Sequence, residues 1–331
     1  MILPNSFVLI GAHTIREWLR SNSALVLQLT TDAYIAYARG LMVNPTSCFL
    51  RFPGNNIDRI IALPASLEDD SPICGVKWVS SFPRNTAHGR ARASGVIILN
   101  DRVTGIPIAC LEGSAISTAR TAASALIGAI NLHPMAPNIA RLGVVGCGVI
   151  SRAIIEMFIE SGWSIGEIAL SDLSSERAYD MMRGIQELHE GVACVSVENA
   201  ILQSDMILFA TTAVEPFIYQ ADWFSHNPTV LHISLRDLGV PIIQSAQNIV
   251  DSIDLCLKAD TSLHLTEKHV GNRNFIAGEI KDMLAGSLLP DVTRPRIWSP
   301  FGMGILDLTV AREIFIKAPR DACMVFDGFL G

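Results

Sequence analysis

The sequence predicts an α/β protein of two domains, one of them built on a doubly wound parallel sheet. Three observations carry that expectation. The chain has 331 residues, and a single hydrophobic core stops growing at roughly 250–300. After residue 138 short apolar β-like runs alternate with helical segments, the mark of βαβ units and a parallel sheet. The first strand of that alternating half runs straight into a glycine turn, Gly146-Cys147-Gly148.

The N-terminus, MILPNSFVLIGAHTIR, has no Lys or Arg before Arg16 and reads as a first strand rather than a targeting leader. FLRFPGN (49–55), RIIALPAS (59–66), ICGVKWVSSFPRN (73–85) and SGVIILNDRVTGIPIACL (94–111) mix apolar runs with turn signals. This region is expected to be mainly β or α+β, with NDRVTG closing a hairpin between VIIL and IPIACL. SAISTARTAASALIGAINL (114–132) is Ala- and Leu-rich and free of proline until Pro134, which predicts a helix. The alternation follows: strand RLGVVG, a helix near Val149–Ser161, strand EIALSD, helix SSERAYDMMRGIQELHE, then ACVSV, the short helix ENAILQS, MILFA, TVLHIS and NIVDS. The last stretch, SPFGMGILDLTVAREIFIKA, reads as a loop and a helix. That helix is expected to return to the N-terminal region, which lacks a long enough helix of its own.

Apolar residues make up 50% of the chain and charged residues only 17%, against a usual charged share of about 25%. So little charge for covering a surface points to an oligomer. The balance of 25 basic and 32 acidic residues gives −7 and excludes a general nucleic-acid binder. No apolar run approaches the ~18 residues that span a bilayer, so no membrane association is expected. The seven cysteines contain no CxxC pair and are expected to be buried free thiols in a reducing compartment, the cytoplasm. The eight histidines form no HExxH pair, and His264 and His269 are five apart, so no metal site is expected.

The glycine turn is where chemistry first becomes legible. A dinucleotide turn needs one glycine for the bend and a second to admit the pyrophosphate to the backbone. A small third residue lets helix and sheet approach, with the phosphates at the helix N-terminus. Gly146, Gly148 and Ser151 occupy those places, with Val149 and Ile150 between. Asp172 ends the next strand, where a carboxylate accepts from the ribose hydroxyls and repels a 2′-phosphate. The competing structural reading makes Asp172 a helix N-cap ahead of SSER. NAD is expected over NADP because no basic residue directly follows Asp172. Thr211 and Thr212, at the carboxyl end of MILFA, are further candidates for cofactor contact, or simply a polar loop.

Arg51, Lys77, ISTARTAASAL (116–126), GCGVIS (146–151), TTAVEP (211–216) and the late G-x-G-x-L-D, in this order over roughly residues 45–312, resemble the ornithine cyclodeaminase/mu-crystallin family. The resemblance implies a Rossmann domain, taken here as 126–305, and a split substrate-binding and dimerisation domain, 1–125 with 306–331. It implies NAD as cofactor, a homodimer, and a small amino-acid substrate. It places substrate-carboxylate ligands at Arg51, Lys77 and Arg120, an amine- and imine-handling aspartate at Asp237, and the loop of Gly302 and Asp307 beside the nicotinamide.

FLRFPGN, KWVSSFP, LHISLRDL and SPFGMGILDL most resemble members that oxidatively hydrolyse N-(2-amino-2-carboxyethyl)-L-glutamate to 2-oxoglutarate and L-2,3-diaminopropionate, a siderophore precursor. Such a substrate has several carboxylates, for which guanidinium forks are the best partners. Arg92, in the basic stretch GRARAS, and Arg236, beside Asp237, are the candidates for extra carboxylate contacts. Lys77 and Asp237 are the candidate catalytic groups. The alternatives are an ornithine or lysine cyclodeaminase, an imine reductase, or a non-catalytic dinucleotide-binding protein. For the residues themselves, ordinary structure competes: a snorkelling lysine, a solvated helix face at Arg120, an exposed basic loop, an Asp–Gly turn at 237–239, and a dipole-facing carboxylate at Asp307.

Overall fold

The computed structural model describes residues 6–329, and the chain divides into two units. Unit 1 comprises the residues up to Arg120 and from Gly302 onward; unit 2 is Thr121–Phe301.

Unit 1 opens with β1 (Phe7–Ile10), so the predicted first strand forms, with Met1–Asn5 outside the described residues. Two helices follow, α1 (Ala12–Ser21) and α2 (Ser23–Ala38). Here the sequence expectation is corrected: the N-terminal region does have a long helix of its own. In α2 the stripe Val26, Thr30, Ala33, Tyr34 is buried, an i, i+4, i+7, i+8 pattern, but Leu25, Leu27, Leu29 and Ile35 on the other faces blur it.

The strands β2 (Met42–Val43), β3 (Cys48–Phe52), β4 (Asn55–Leu67), β5 (Ile73–Ser81), β6 (Ala93–Asp101) and β7 (Pro107–Glu112) come next. The β6–β7 hairpin forms around NDRVTG, with the Asp101 carboxylate accepting from Val103 N and Thr104 N. β3 to β7 pair in antiparallel register, and β1 joins β7 in parallel. α3 (Gly113–Leu132) then starts under a carboxylate cap, Glu112 accepting from Ser114 N at 2.7 Å and Ala115 N at 3.0 Å. The boundary between the units falls inside this helix.

Unit 2 is the alternating half: β8 (Asn138–Val145), α4 (Val149–Glu160), β9 (Ser164–Ser171), α5 (Ser175–Gln186), β10 (Val192–Cys194), α6 (Val197–Leu202), β11 (Met206–Phe209) and β12 (Thr229–His232). It continues through α7 (Val240–Ser245), β13 (Gln247–Val250), α8 (Ile253–Cys256), α9 (Ser262–Val270), β14 (Ile276–Glu279), α10 (Ile280–Leu284) and β15 (Arg296–Ser299). All eight strands are parallel, in the order β10-β9-β8-β11-β12-β15-β13-β14. β11, β12, β13 and β15 are buried along their whole length and β8 over its last four residues, as expected of a sheet covered on both faces. Gly128 of α3 allows the helix to lie against Trp298 of β15: an added Cβ would come 2.2 Å from the indole ring. The Trp298 Nε1–H donates to Ser124 O at 2.9 Å, which satisfies the one polar atom of a fully buried side chain.

The chain returns to unit 1 with α11 (Gly304–Lys317) and β16 (Met324–Phe326). As expected, α11 packs on the N-terminal region, against α2 and one face of β4, β5 and β6. Gly304 makes this possible: a Cβ there would sit 2.8 Å from Leu63 O of β4. All seven cysteines are free, but only Cys147 and Cys256 are buried. Cys74 and Cys110 alternate along β5 and β7 with buried Ile73, Ala109 and Leu111, and so take the less buried face of the sheet. Among the described residues no helix is long and apolar enough to cross a membrane.

Candidate functional site

Two constellations stand out, one in each unit. In unit 2 the strand order reverses at β8, with β9 on one side and β11 on the other, and the crevice at such a switch point is where open parallel sheets hold ligands. Gly146 follows β8 with φ 96°, a conformation open to glycine. A Cβ there would approach Ala210 O, just past β11, to 2.6 Å. The turn is tied to the end of β9 through Asp172, which accepts from Cys147 N at 2.8 Å and Ser174 N at 2.8 Å. The N-cap of α5 is Ser174, accepting from Arg177 N, so the competing reading of Asp172 as that cap is not the one the chain adopts.

Gly148 precedes α4 in extended conformation with no side-chain cap, and a Cβ there would meet nothing within 4 Å. Ser151 is buried and its hydroxyl donates back to Gly146 O, fixing the turn to the first turn of the helix. Val149 is 74% exposed although apolar. The first-turn N–H groups of a twelve-residue helix therefore face an open, uncrowded turn, which suits a pyrophosphate.

At the carboxyl end of β12 lies a buried polar network. Asp237 has no exposed surface; its two carboxylate oxygens accept from the Thr211 and Ser234 hydroxyls. His232 Nε2 stands 3.2 Å from Asp237 Oδ2, and its Nδ1 is 3.2 Å from Ser299 Oγ. Burial would raise the Asp237 pKa, but His232, Ser234 and Thr211 outweigh it and hold the carboxyl below its usual range. The segment is no simple Asp–Gly turn: Asp237 O accepts from Phe217 N and Ile218 N, Leu238 bridges to Ile218, and Gly239 opens α7. Leu235, with φ 67°, turns the chain so that Asp237 reaches the network. Arg236 donates to Ala259 O at 2.7 Å, and Thr212 is exposed beside Thr211.

In unit 1, Lys77 on β5 points under α11 and is only 3% exposed, so it does not snorkel. Its Nζ lies 2.6 Å from Asp307 Oδ2 in the first turn of α11. Arg120 Nε lies 3.2 Å from the other oxygen. Both cations also donate to the Ser117 hydroxyl at 3.2 Å, three residues before Arg120 on α3. Arg120, expected on a solvated face by the competing reading, keeps only 11% of its side chain exposed. Burial pulls the Lys77 pKa down; Asp307 pulls it back and Arg120 opposes, leaving it at about 8. Burial alone would raise Asp307, but Arg120 and Lys77 hold it below the usual carboxylate range. Gly302, in left-handed conformation at φ 90°, comes close to this cluster: a Cβ on it would be 3.0 Å from Arg120 Nη1. Gly302 and Asp307 thus stand with the predicted carboxylate ligands.

Arg51 is exposed on β3, its guanidinium 5.4 Å from the Phe49 ring centre. Arg92 is half-buried and donates to Ser81 Oγ of β5 at 3.0 Å, while Arg90 is exposed. Ser117, His232 and Ser234, which belong to these clusters, escaped the sequence reading. His232 and Ser234 flank the same strand end as Asp237, and Ser117 is one turn before Arg120, so helical and strand spacing were the available signals.

The sequence profile of the ornithine cyclodeaminase/mu-crystallin family matches residues 12–318. N-((2S)-2-amino-2-carboxyethyl)-L-glutamate dehydrogenase of Staphylococcus aureus is 28% identical over 311 residues, covering 91% of this chain and 92% of that protein. Among solved structures, Thermococcus litoralis Δ1-pyrroline-2-carboxylate reductase, in complex with NADH and L-proline, superposes with a TM-score of 0.86 at 23% identity. That match covers 94% of this chain and 97% of the other. An archaeal alanine dehydrogenase dimer with bound NAD also gives a TM-score of 0.86, at 20% identity over 98% of this chain and 100% of that one.

Proposed function

The chain belongs to the ornithine cyclodeaminase/mu-crystallin family, and from that premise we propose that it is an NAD-dependent oxidoreductase of a carboxylate-rich amino acid. The reaction is the oxidative hydrolysis of N-(2-amino-2-carboxyethyl)-L-glutamate: with NAD and water it yields 2-oxoglutarate, L-2,3-diaminopropionate, NADH and a proton. The observation that carries this reading is the buried cluster in which two cations, Lys77 and Arg120, share one carboxylate, Asp307. Its surplus positive charge, largely removed from water, calls for an anion of matching size, and a substrate carboxylate supplies it. The S. aureus dehydrogenase acts on such a tricarboxylate, and its similarity extends over most of both chains.

The turn residues Gly146, Gly148, Val149, Ile150 and Ser151 fit a dinucleotide pyrophosphate, because a Cβ at Gly148 meets open space and the α4 amides face it. Asp172, with both oxygens already anchored by backbone amides, presents its remaining lone pairs to the ribose and favours NAD. When bound, the cofactor supplies the hydride acceptor for the glutamyl Cα. Lys77 and Arg120 fix the carboxylate next to that carbon, with Asp307 holding both cations in place. At pH values below about 8 Lys77 retains its proton and can give it to the departing nitrogen. Asp237 is too well stabilised to be a strong base; as a fixed negative charge it favours the positive charge that develops on the amine nitrogen. Thr211, Ser234 and His232 hold it there, and Arg51, Arg92 and Arg236 supply further carboxylate contacts.

Incubating the protein with NAD and N-(2-amino-2-carboxyethyl)-L-glutamate should produce NADH and 2-oxoglutarate in equal amounts. Ammonia from ornithine without net NADH would replace this reading with a cyclodeaminase. NADH consumption only in the presence of Δ1-pyrroline-2-carboxylate would replace it with a reductase.

A second copy of the chain is the proposed partner. The face of β3–β6 opposite Lys77 carries Leu50, Val76, Trp78, Val96 and Ile98, all exposed or only half-buried. Such an apolar face in a low-charge chain suits a self-complementary dimer contact. Trp78→Glu should convert particles of twice the chain mass to single chains by light scattering; an unchanged mass would remove this face from the interface.

A further inference from the structure

Asp237 holds a charge that has no surface of its own through which to meet a ligand. Its carboxyl is kept below the usual range and is ionised at neutral pH, yet the side chain has no exposed area. Thr211 donates its hydroxyl proton to Oδ1 and Ser234 donates its own to Oδ2, and His232 Nε2 stands 3.2 Å from Oδ2. An ionised carboxylate only accepts, so both hydroxyl protons are committed and each hydroxyl oxygen has nothing but lone pairs to offer a third group. The two oxygens differ in what they have left. Thr211 Oγ1 already accepts from Ala213 N at 3.1 Å. Ser234 Oγ accepts from no group among the described residues, and Ser234 is only half-buried. The backbone secures its place: Ser234 N donates to Phe209 O, at the end of β11, at 3.1 Å. Ser234 lies two residues beyond β12, at the carboxyl end of the parallel sheet, where such sheets hold their ligands.

We propose that Ser234 is the residue through which Asp237 acts on the substrate, its hydroxyl oxygen accepting a hydrogen bond from the N–H of the amine nitrogen. The inference rests on the reading that Asp237 serves that nitrogen, and it replaces direct contact by a one-hydroxyl relay. An oxygen that can only accept favours a nitrogen bearing hydrogen and disfavours a carbonyl or a methylene in its place. A secondary amine has one N–H and one lone pair, so fixing the first sets the direction of the second. When hydride leaves Cα for the cofactor, that lone pair becomes the second C–N bond, and the proton stays on nitrogen, still bonded to Ser234 Oγ. The positive charge so formed is met by Asp237 through a hydroxyl that the carboxylate has already polarised.

The test compares binding of L-glutamate and of glutarate, which share two carboxylates and differ in the amine, to the NADH-loaded wild-type protein, Ser234→Ala and Ser234→Thr. Thermal unfolding of each variant is the folding control, and NAD affinity is measured beside it. The wild type should hold L-glutamate more tightly than glutarate. Ser234→Ala should weaken L-glutamate by about tenfold or more and leave glutarate and NAD within about twofold, and Ser234→Thr, which keeps the hydroxyl, should recover most of the loss. With N-(2-amino-2-carboxyethyl)-L-glutamate, Ser234→Ala should lower kcat/KM by about tenfold or more. No preference for L-glutamate in the wild type would overturn the proposal. So would equal losses for L-glutamate and glutarate, the mark of a merely structural residue, or a loss of NAD affinity alone, which would put Ser234 against the cofactor's carboxamide. If Ser234→Ala does not fold, Ser234→Cys decides by the same ratio, because a thiol is a weak acceptor. A Ser234-dependent preference for L-glutamate without turnover of the tricarboxylate would keep this inference and remove the proposed reaction.

Discussion

Replacing Asp307 by Asn should lower kcat/KM by about 100-fold or more and move its alkaline limb to lower pH. The substitution keeps the side chain's size and one acceptor oxygen but removes the only charge that Lys77 and Arg120 share at 2.6 and 3.2 Å. Breaking a buried pair by removing one partner costs about 3–5 kcal/mol, because a desolvated charge is left uncompensated. For a unit of this size that corresponds to a fall in Tm of roughly 5–15 °C. In the wild type, Asp307 is what lifts the Lys77 pKa back to about 8 against burial and Arg120. Without it Lys77 loses its proton at lower pH, so the proton proposed for the departing nitrogen and one of the clamp's two cations are lost together.

Wild-type kcat/KM should therefore decline as pH rises through about 8, and the variant's should decline earlier. The sign for stability runs the other way. Lys77 has a folded pKa of about 8 against an ordinary 10.5, so between these values the unfolded chain binds more protons. On this residue's account stability is lowest below pH 8 and increases toward 10.5. A pH–rate profile with an unmoved alkaline limb in Asp307→Asn would show that Lys77 is not the group being titrated.

What could be read before the structure was local, and what could not was long-range. Six strands of the parallel half, β8 to β13, are legible because each βαβ unit declares its period and its turns within some thirty residues; β14 and β15, with few apolar residues each, are not. Lys77 was conspicuous as a lysine between Val76 and Trp78, and Asp307 as a carboxylate after a glycine loop. Their pairing, across 230 positions, leaves no trace in either neighbourhood. α2 was missed because its apolar residues lie all round the helix, so that the buried stripe toward α11 does not stand out. Cys74 and Cys110 have buried apolar neighbours in the sequence, but alternation along a strand sends every second residue to the less buried face.

The two glycines of the turn should separate a cofactor cradle from an ordinary tight bend, since the structure makes opposite demands of them. Gly146 has φ 96° and a Cβ there would lie 2.6 Å from the backbone oxygen of Ala210. Gly146→Ala must therefore shift β8 against the segment after β11, besides forcing a side chain into a left-handed conformation, and should cost about 2–4 kcal/mol. Both stability and NAD affinity should suffer. Gly148 has φ −102° and ψ −177°, which any residue adopts, and its Cβ would meet nothing within 4 Å. Gly148→Ala should leave the Tm of the ligand-free protein within about 1 °C. If the open space over Gly148 exists to admit a pyrophosphate to the α4 amides, the added methyl stands where the phosphates approach, and NAD affinity should fall by about 10- to 100-fold. Calorimetric titration with NAD beside a melting curve gives both numbers. Undiminished NAD binding in Gly148→Ala would mean that the phosphates lie elsewhere, and the role of the α4 N-terminus would fall with it.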